Sequence, residues 1–260
     1  MLEHNLRENG GPNIVAKFAV ILPAAGRSSR FKDPHYKKPF ALLGGRAVWL
    51  HSAERFLNRP DVIQTIVVIA HEDREYFTFK FTSNVAIMGI DVVEGGDQRA
   101  DSVEKALARV KPQADFVCVH DAARPCLVDE WIDRVFQAAE QSGAAISAIP
   151  VAGTLKRVGQ DRLIQETVER AGLWEAQTPQ VFRRTLLLEA YARRDGFQAT
   201  DDAQLVERIG HPVTVVPGSP INLKIATKED LRLAEQALKA LPKPKLQGPS
   251  HPFAGDDMWR

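Results

Sequence analysis

Cysteine is scarce in this chain: Cys118 and Cys126 are the two in 260 residues. Two cysteines cannot staple a secreted disulfide scaffold, and a reducing compartment suits them better. Cys118 stands inside an apolar run and reads as a small core residue. A bridge to Cys126 would require a buried strand residue to reach back along its own strand. Long apolar runs are missing as well. None approaches the roughly 18 to 20 residues needed to cross a bilayer. Met1 to Ala16 has neither the apolar centre of a signal peptide nor the arginine bias of a transit peptide, so a cytoplasmic protein is expected. Charge of one sign is also lacking, with 34 basic residues against 33 acidic ones. That balance argues against a nucleic-acid binder, and any phosphate site must come from local placement. There is no Gly-Lys-Ser/Thr P-loop and no triple-glycine dinucleotide fingerprint, which disfavours a nicotinamide-dependent dehydrogenase. No zinc-ligand spacing, nucleophile elbow or Ser/His/Asp arrangement stands out.

What is present is a rhythm. Short apolar runs without polar alternation occur at Phe18–Leu22, Thr65–Ala70, Phe116–Val119 and Ala144–Ile149, as expected for strands covered on both faces. Between them lie helical stripes. Val103, Ala106, Leu107 and Val110 repeat at helical spacing behind Asp101 and Glu104, which resemble a capping box. Ile132, Val135, Phe136 and Ala139 follow Asp129; Trp49, Ala53, Phe56 and Leu57 precede the breaker Pro60; Leu231, Ala234 and Leu238 follow Thr227 and Asp230. This alternation predicts a doubly wound α/β fold with a mostly parallel sheet. Residues 1–16 read as a flexible leader and 241–260, with Pro242, Pro244, Pro249 and Pro252, as a flexible tail, leaving 17–240 as the ordered domain. Residues 151–176 break the rhythm and suit a protruding β-hairpin. An isolated hairpin is marginal in water, so this arm either embraces a second subunit or lies on its own domain.

Four polar motifs fall just after apolar runs: Pro23 to Arg30, Gly95 to Ser102, His120 to Pro125, and Asn222-Leu223-Lys224. In open α/β sheets ligands bind outside the carboxyl ends of the strands. Small residues at Ala24, Ala25 and Gly26 leave backbone N–H groups approachable by phosphate, and Arg27 and Arg30 can add charge-assisted bonds. Lys37-Lys38-Pro39-Phe40 closes the following loop, with Pro39 and Phe40 pinning it. Gly95 and Gly96 permit a tight turn before a helix start, where Asp97 and Ser102 could bond a nucleobase edge. Asp121 at a buried strand exit needs a partner or a metal, either Mg2+ shared with substrate phosphates or an ion pair with Arg124. His120 reads as a packed strand-end residue rather than a base. Thr178-Pro179-Gln180, Thr200-Asp201-Asp202 and Lys224 are further polar positions; Thr200-Asp201 looks like a helix N-cap.

Together these motifs resemble the 2-C-methyl-D-erythritol 4-phosphate cytidylyltransferases of the non-mevalonate isoprenoid pathway, over essentially all of 17–240. The ordered set Pro-Ala-Ala-Gly, Gly-Gly-Asp-x-Arg-Ala-Asp-Ser-Val, His-Asp-Ala-Ala-Arg-Pro, Thr-Pro-Gln and Asn-x-Lys carries the resemblance. It implies a Rossmann-like nucleotidyltransferase fold, CTP as co-substrate, Mg2+ or another divalent cation, and a homodimer joined through the hairpin arm. It implies that Ala24, Ala25, Gly26, Gly96, Asp97 and Ser102 hold the nucleotide, and that Arg30, Lys38 and Lys224 act on the phosphates. Asp121, Arg124, Thr154, Thr178 and Thr200 fall at the sugar-alcohol phosphate, with Asp121 also near the metal. Arg170 matches an arginine that reaches the neighbouring subunit's sugar phosphate. Two departures stand out: Ser28 replaces a second glycine, and Lys37-Lys38-Pro39 replaces Pro-Lys-Gln with one extra residue before it, so either lysine could take the catalytic place. Ribitol 5-phosphate cytidylyl transfer and a non-catalytic nucleotide-binding protein are the rival readings.

Overall fold

The structure, a computed structural model, describes residues 15–26, 31 and 37–241. Most of the expected leader and tail, 1–14 and 242–260, lies outside these residues. The first strand, β1 (Phe18–Pro23), is buried along almost its whole length. Alternate side chains feed opposite faces: Phe18, Val20 and Leu22 enter one apolar cluster and Ala19 and Ile21 the other, as the two-residue period of a strand requires. After β1 come a short 3-10 turn at Lys38–Phe40, a two-residue hairpin of β2 (Leu42–Leu43) and β3 (Arg46–Ala47), and helix α1 (Val48–Leu57). Then follow β4 (Val62–Ile69), α2 (Arg74–Met88), β5 (Asp91–Glu94), α3 (Arg99–Leu107), β6 (Phe116–Val119), α4 (Asp129–Ser142) and β7 (Ala144–Pro150). The second half runs through β8 (Leu155–Val158), β9 (Ile164–Val168), β10 (Trp174–Arg183), α5 (Arg184–Ala192), α6 (Asp202–Arg208), β11 (Thr214–Pro217) and α7 (Lys228–Ala240).

Seven strands form one sheet in the order β11-β7-β10-β6-β1-β4-β5. Neighbours pair in parallel except β10, which lies antiparallel between β6 and β7. Helices α1, α2 and α4 cover one face through Trp49, Phe56, Phe77, Phe81, Ile132 and Phe136. Helices α3, α5 and α6 cover the other through Val103, Ala106, Leu187, Tyr191 and Val206. The expected doubly wound, mostly parallel sheet is therefore present. Among the described residues no helix is long and apolar enough to cross a membrane.

A third apolar cluster, with Phe31, Leu43, Ala123, Cys126, Ile225 and Ala234, sits at the edge of the sheet. It props the loop after β6 from below, and Ile225 N–H donates to the Ala123 carbonyl at 2.9 Å. Cys118 and Cys126 are both free and buried, and burial pushes the Cys126 thiol up to about 11.

Two local expectations shift. Helix α3 begins before Asp101: Gln98 is its cap, and the Gln98 N–H donates to Asp101 at 3.1 Å, so Asp101 closes the turn rather than opening it. The hairpin of β8 and β9 forms its own two-stranded sheet, but Trp174 to Ala176 pair with Pro150 to Ala148 and belong to the central sheet. The protruding arm is thus the segment around 155–168.

Candidate functional site

Because β1, β4, β5, β6, β7 and β11 run the same way, everything that follows their carboxyl ends gathers on one edge. The loop Ala24 to Gly26 leaves β1 there, and the Ala24 N–H donates to the Val68 carbonyl of β4 at 2.7 Å. Beside it runs the turn between β5 and α3. A Cβ at Gly95 would fall 2.6 Å from Ser102 Oγ and 2.9 Å from Ala25 Cβ, and one at Gly96 would fall 2.5 Å from Asp101 Cβ. Glycine is required by close approach, since real Cβ atoms do not sit that near a neighbour. The turn is braced from within: Gly96 N–H donates to Ser102 Oγ at 3.1 Å, and Lys105 Nζ donates to the Gly95 carbonyl at 2.8 Å. Asp97 remains exposed at the tip.

Asp121, one residue beyond β6, is the electrostatic centre. Lys224 Nζ lies 2.8 Å from its Oδ2, Arg124 Nε 3.3 Å from the same oxygen, and Arg99 Nε 4.0 Å from Oδ1. Burial alone would raise the Asp121 pKa, but Lys224, then Arg99 and Arg124, outweigh it and hold the carboxyl well below its usual range. The Asp121–Arg124 ion pair, one of the two arrangements left open by the sequence, is present, and Arg124 is further fixed by donating from Nη1 to the Asn222 carbonyl at 2.7 Å. Thr178 Oγ1 accepts the Asp121 N–H at 3.0 Å. Asn222 Nδ2 donates to the Thr178 carbonyl at 2.8 Å, tying the exit of β11 to β10.

His120 is buried against Phe56. Its ring nitrogens meet Thr178 Oγ1 at 3.2 Å and the Arg124 carbonyl at 3.0 Å. Burial pushes its pKa down to about 4. It is a packed strand-end residue, as its position in the sequence suggests.

The two lysines at 37 and 38 part company. Lys37 Nζ is held by Glu72 at 2.8 Å and Asp73 at 2.9 Å, at the carboxyl end of β4. Burial would lower its pKa, yet those carboxylates raise it. Lys38 opens the 3-10 turn whose Pro39 and Phe40 are buried. Arg27 and Arg30 lie outside the described residues.

The structure brings Asp121, Arg124, Thr178 and Lys224 into direct contact and sets Ala25 against Gly95. Thr154 and Arg170 sit exposed at the root of the arm, where the Arg170 guanidinium donates to the Ala152 carbonyl. Thr200 is exposed and its hydroxyl donates to Gln204 Oε1 at 3.3 Å; the helix cap beside it is Asp201, which accepts the Gln204 N–H at 3.0 Å. Arg99, Gln180 and Asp202 stand in the motifs noted above, but the sequence assigns none of them a role. Gln180 Oε1 accepts the N–H groups of Asp202 and Ala203, both at 3.2 Å, and Nε2 donates to Asp201 at 2.9 Å, locking the start of α6 onto the central strand. The signal available for Arg99 is its place in the first turn of α3, where a cation opposes the helix dipole and needs an anion nearby.

The mostly parallel sheet, with a glycine turn and a carboxylate ringed by cations at its exits, is the framework of an α/β nucleotide-binding enzyme, and the relatives of this chain make it a nucleotidyltransferase. The family model for IspD, 2-C-methyl-D-erythritol 4-phosphate cytidylyltransferase, matches residues 18–240, and the chain belongs to that family. It is 44% identical over 237 residues to the 2-C-methyl-D-erythritol 4-phosphate cytidylyltransferase of Rhodopirellula baltica, covering 87% of this chain and 96% of the relative. The enzyme of the same name from Syntrophus aciditrophicus is 39% identical over 226 residues, covering 86% and 96%. Among solved structures, the 2-C-methyl-D-erythritol 4-phosphate cytidylyltransferase of Thermus thermophilus superposes with a TM-score of 0.70 at 33% identity, covering 86% of this chain and 99% of that one.

Proposed function

We propose that the chain transfers the cytidylyl group of CTP to 2-C-methyl-D-erythritol 4-phosphate, releasing pyrophosphate, as a step of isoprenoid precursor synthesis in the cytoplasm. The observation that carries this reading is the enclosure of Asp121 by Lys224, Arg124 and Arg99 beside the glycine turn, within a chain of this family. Ala24, Ala25, Gly26, Gly96, Asp97 and Ser102 hold the nucleotide in this reading. Asp121, Arg124, Thr154, Thr178 and Thr200 surround the acceptor, and Arg170 reaches a second subunit's acceptor in a homodimer built through the arm.

A phosphate oxygen of the acceptor attacks the α-phosphorus of CTP in line, a P–O bond forms, and pyrophosphate leaves with the electrons of the broken bond. The nucleophile is already an anion, so no general base is needed. Neutral, buried His120, with both ring nitrogens engaged, agrees with that. What remains is positioning and charge neutralisation. Arg30, Lys38 and Lys224 supply the positive charge on the phosphates. Lys37 anchors the loop to Glu72 and Asp73, and Lys38, next to the buried Phe40, is the lysine matched to the catalytic position. Among the described residues no three His, Cys, Asp or Glu side chains cluster as a metal cage. Asp121, the carboxylate expected near the metal, is paired with Lys224, Arg124 and Arg99. A divalent cation would therefore be carried mainly by the nucleotide phosphates, with Asp121 at most an additional contact, and would further neutralise the triphosphate.

The test is pyrophosphate release from CTP against ATP, GTP and UTP, with methylerythritol phosphate and ribitol 5-phosphate as alternative acceptors. Release with CTP and methylerythritol phosphate is expected. Preference for ribitol phosphate would reassign the acceptor, and saturable CTP binding without release would make the chain a non-catalytic binder.

A further inference from the structure

Behind Asp121 stands a second, fully buried carboxylate that the reaction does not touch. Asp202, the first residue of α6, has no exposure to solvent. Its Oδ1 accepts the Tyr191 hydroxyl at 2.6 Å and its Oδ2 accepts Arg99 Nη2 at 2.7 Å. The Nε of the same guanidinium edge lies 4.0 Å from Asp121 Oδ1, an ion pair without a hydrogen bond. Tyr191, Asp202, Arg99, Asp121 and Lys224 therefore form one line of hydrogen bonds and ion pairs, running from the core at α5 to the open edge of the sheet.

The line joins the two halves of the site. Arg99 is the first residue of α3, directly after the glycine turn read as the nucleotide loop, so its guanidinium and that loop move together. Asp202 follows Thr200 and Asp201, on the side read as the acceptor's. Charge explains why both carboxylates are needed. Arg99, Arg124 and Lys224 are three cations around Asp121. With Asp202 holding Arg99 at 2.7 Å, Asp121 keeps its shortest contact for Lys224. Without that negative charge Arg99 has one acid left to pair with, and a guanidinium is drawn toward the nearer carboxylate it can reach. It would compete with Lys224 for Asp121 and drag the start of α3 with it.

We infer that Asp202, acting through Arg99, is a positioning residue that fixes the nucleotide loop and the Asp121–Lys224 pair relative to each other. The burial of Tyr191 serves this, since its hydroxyl gives Asp202 a second donor; burial first and Asp202 next push the phenol pKa up, so that donor stays protonated.

The inference rests on the proposed nucleotide and acceptor assignment, and the experiment separates the two. Wild type, Asp202→Asn, Arg99→Gln and the double variant are compared by calorimetric titration with CTP, by steady-state pyrophosphate release and by thermal unfolding. Asn keeps the shape of Asp202 and removes its charge. Asp202→Asn is expected to weaken CTP binding and raise its KM about tenfold, with kcat also reduced. The double variant is expected to lose less than the sum of the single losses, because each single substitution leaves one partner of the pair without its opposite charge and the double removes both. A purely structural role would lower the melting temperature and the active fraction, leaving KM and the CTP dissociation constant as in wild type. That result, or additive losses in the double variant, would overturn the inference. Tyr191→Phe, which keeps the ion pair, is expected to show a smaller shift of the same kind; an unchanged dissociation constant for it together with an unchanged one for Asp202→Asn would likewise end it. A wild type that binds CTP but releases no pyrophosphate sinks the functional reading alone, and the binding cycle still decides this one. A wild type that does not bind CTP overturns both.

Discussion

His120 is a histidine arranged so that it offers no proton. Nε2 faces the Arg124 carbonyl, which can only accept, so it carries the ring proton of the neutral imidazole and leaves Nδ1 to accept the Thr178 hydroxyl. With the folded pKa at about 4 and an unfolded value near 6.5, the unfolded chain takes up a proton that the folded chain refuses. Stability is therefore whole above about pH 6.5 and falls as pH drops toward 4, by about 3 kcal/mol at most. Urea unfolding at pH 7 and pH 4.5 measures the loss, and His120→Gln should flatten it. Asp121 adds its own acid sensitivity lower down: with its folded pKa depressed, its contribution begins to fall as pH drops through the usual carboxylate range, where the unfolded chain protonates, and is lost once the folded carboxyl protonates. Among the residues that carry the chemistry, Lys38→Ala is expected to lower turnover by orders of magnitude with little change in melting temperature, whereas Lys37→Ala should mainly destabilise the loop it anchors to Glu72 and Asp73. Comparable kcat values for both lysine variants would reject that division of labour.

Elements were legible where one periodicity dominated. β1, β4, β6 and β7 announced themselves as short unbroken apolar runs, and α1, α4 and α7 as single stripes. The helix start read at Thr227 and Asp230 is present and is a capping box, with Thr227 N–H donating to Asp230 at 2.8 Å and Asp230 N–H to Thr227 at 3.2 Å. Thr227→Ala should cost about 1 kcal/mol of stability, readable in denaturant melts. Helix α2 was illegible because its aromatic residues do not share a face: Phe77 and Phe81 are buried while Phe79 is almost fully exposed. β10 hid for another reason. Its first residues, Trp174 to Ala176, are exposed, Gln177, Thr178 and Gln180 are polar yet buried, and it reads as an apolar run only at Val181 and Phe182, between β6 and β7. Gly96→Ala is the test of the nucleotide turn. With Asp101 Cβ 2.5 Å from the added methyl, the turn must open, and CTP affinity should fall at least tenfold while the melting temperature changes little. Unchanged affinity would mean that the turn does not hold the nucleotide.

For the molecule as a whole, the exposed apolar side chains of the arm region, Val158, Leu163, Ile164, Leu173 and Trp174, suit burial against a second copy. Sedimentation is expected to give twice the chain mass, and replacing 155–168 by a short glycine linker should give monomers with reduced turnover. A monomeric full-length protein would place the arm on its own domain instead. The order of residues was enough to settle the layered α/β plan, the glycine turn and the family, because strand burial, helix stripes and close backbone approach each leave a local pattern. The hold of Glu72 and Asp73 on Lys37 and the line from Tyr191 to Lys224 emerged from the folded chain alone. Those contacts join residues up to 103 positions apart, as Arg99 and Asp202 are, and pairings at that separation leave no period in the chain.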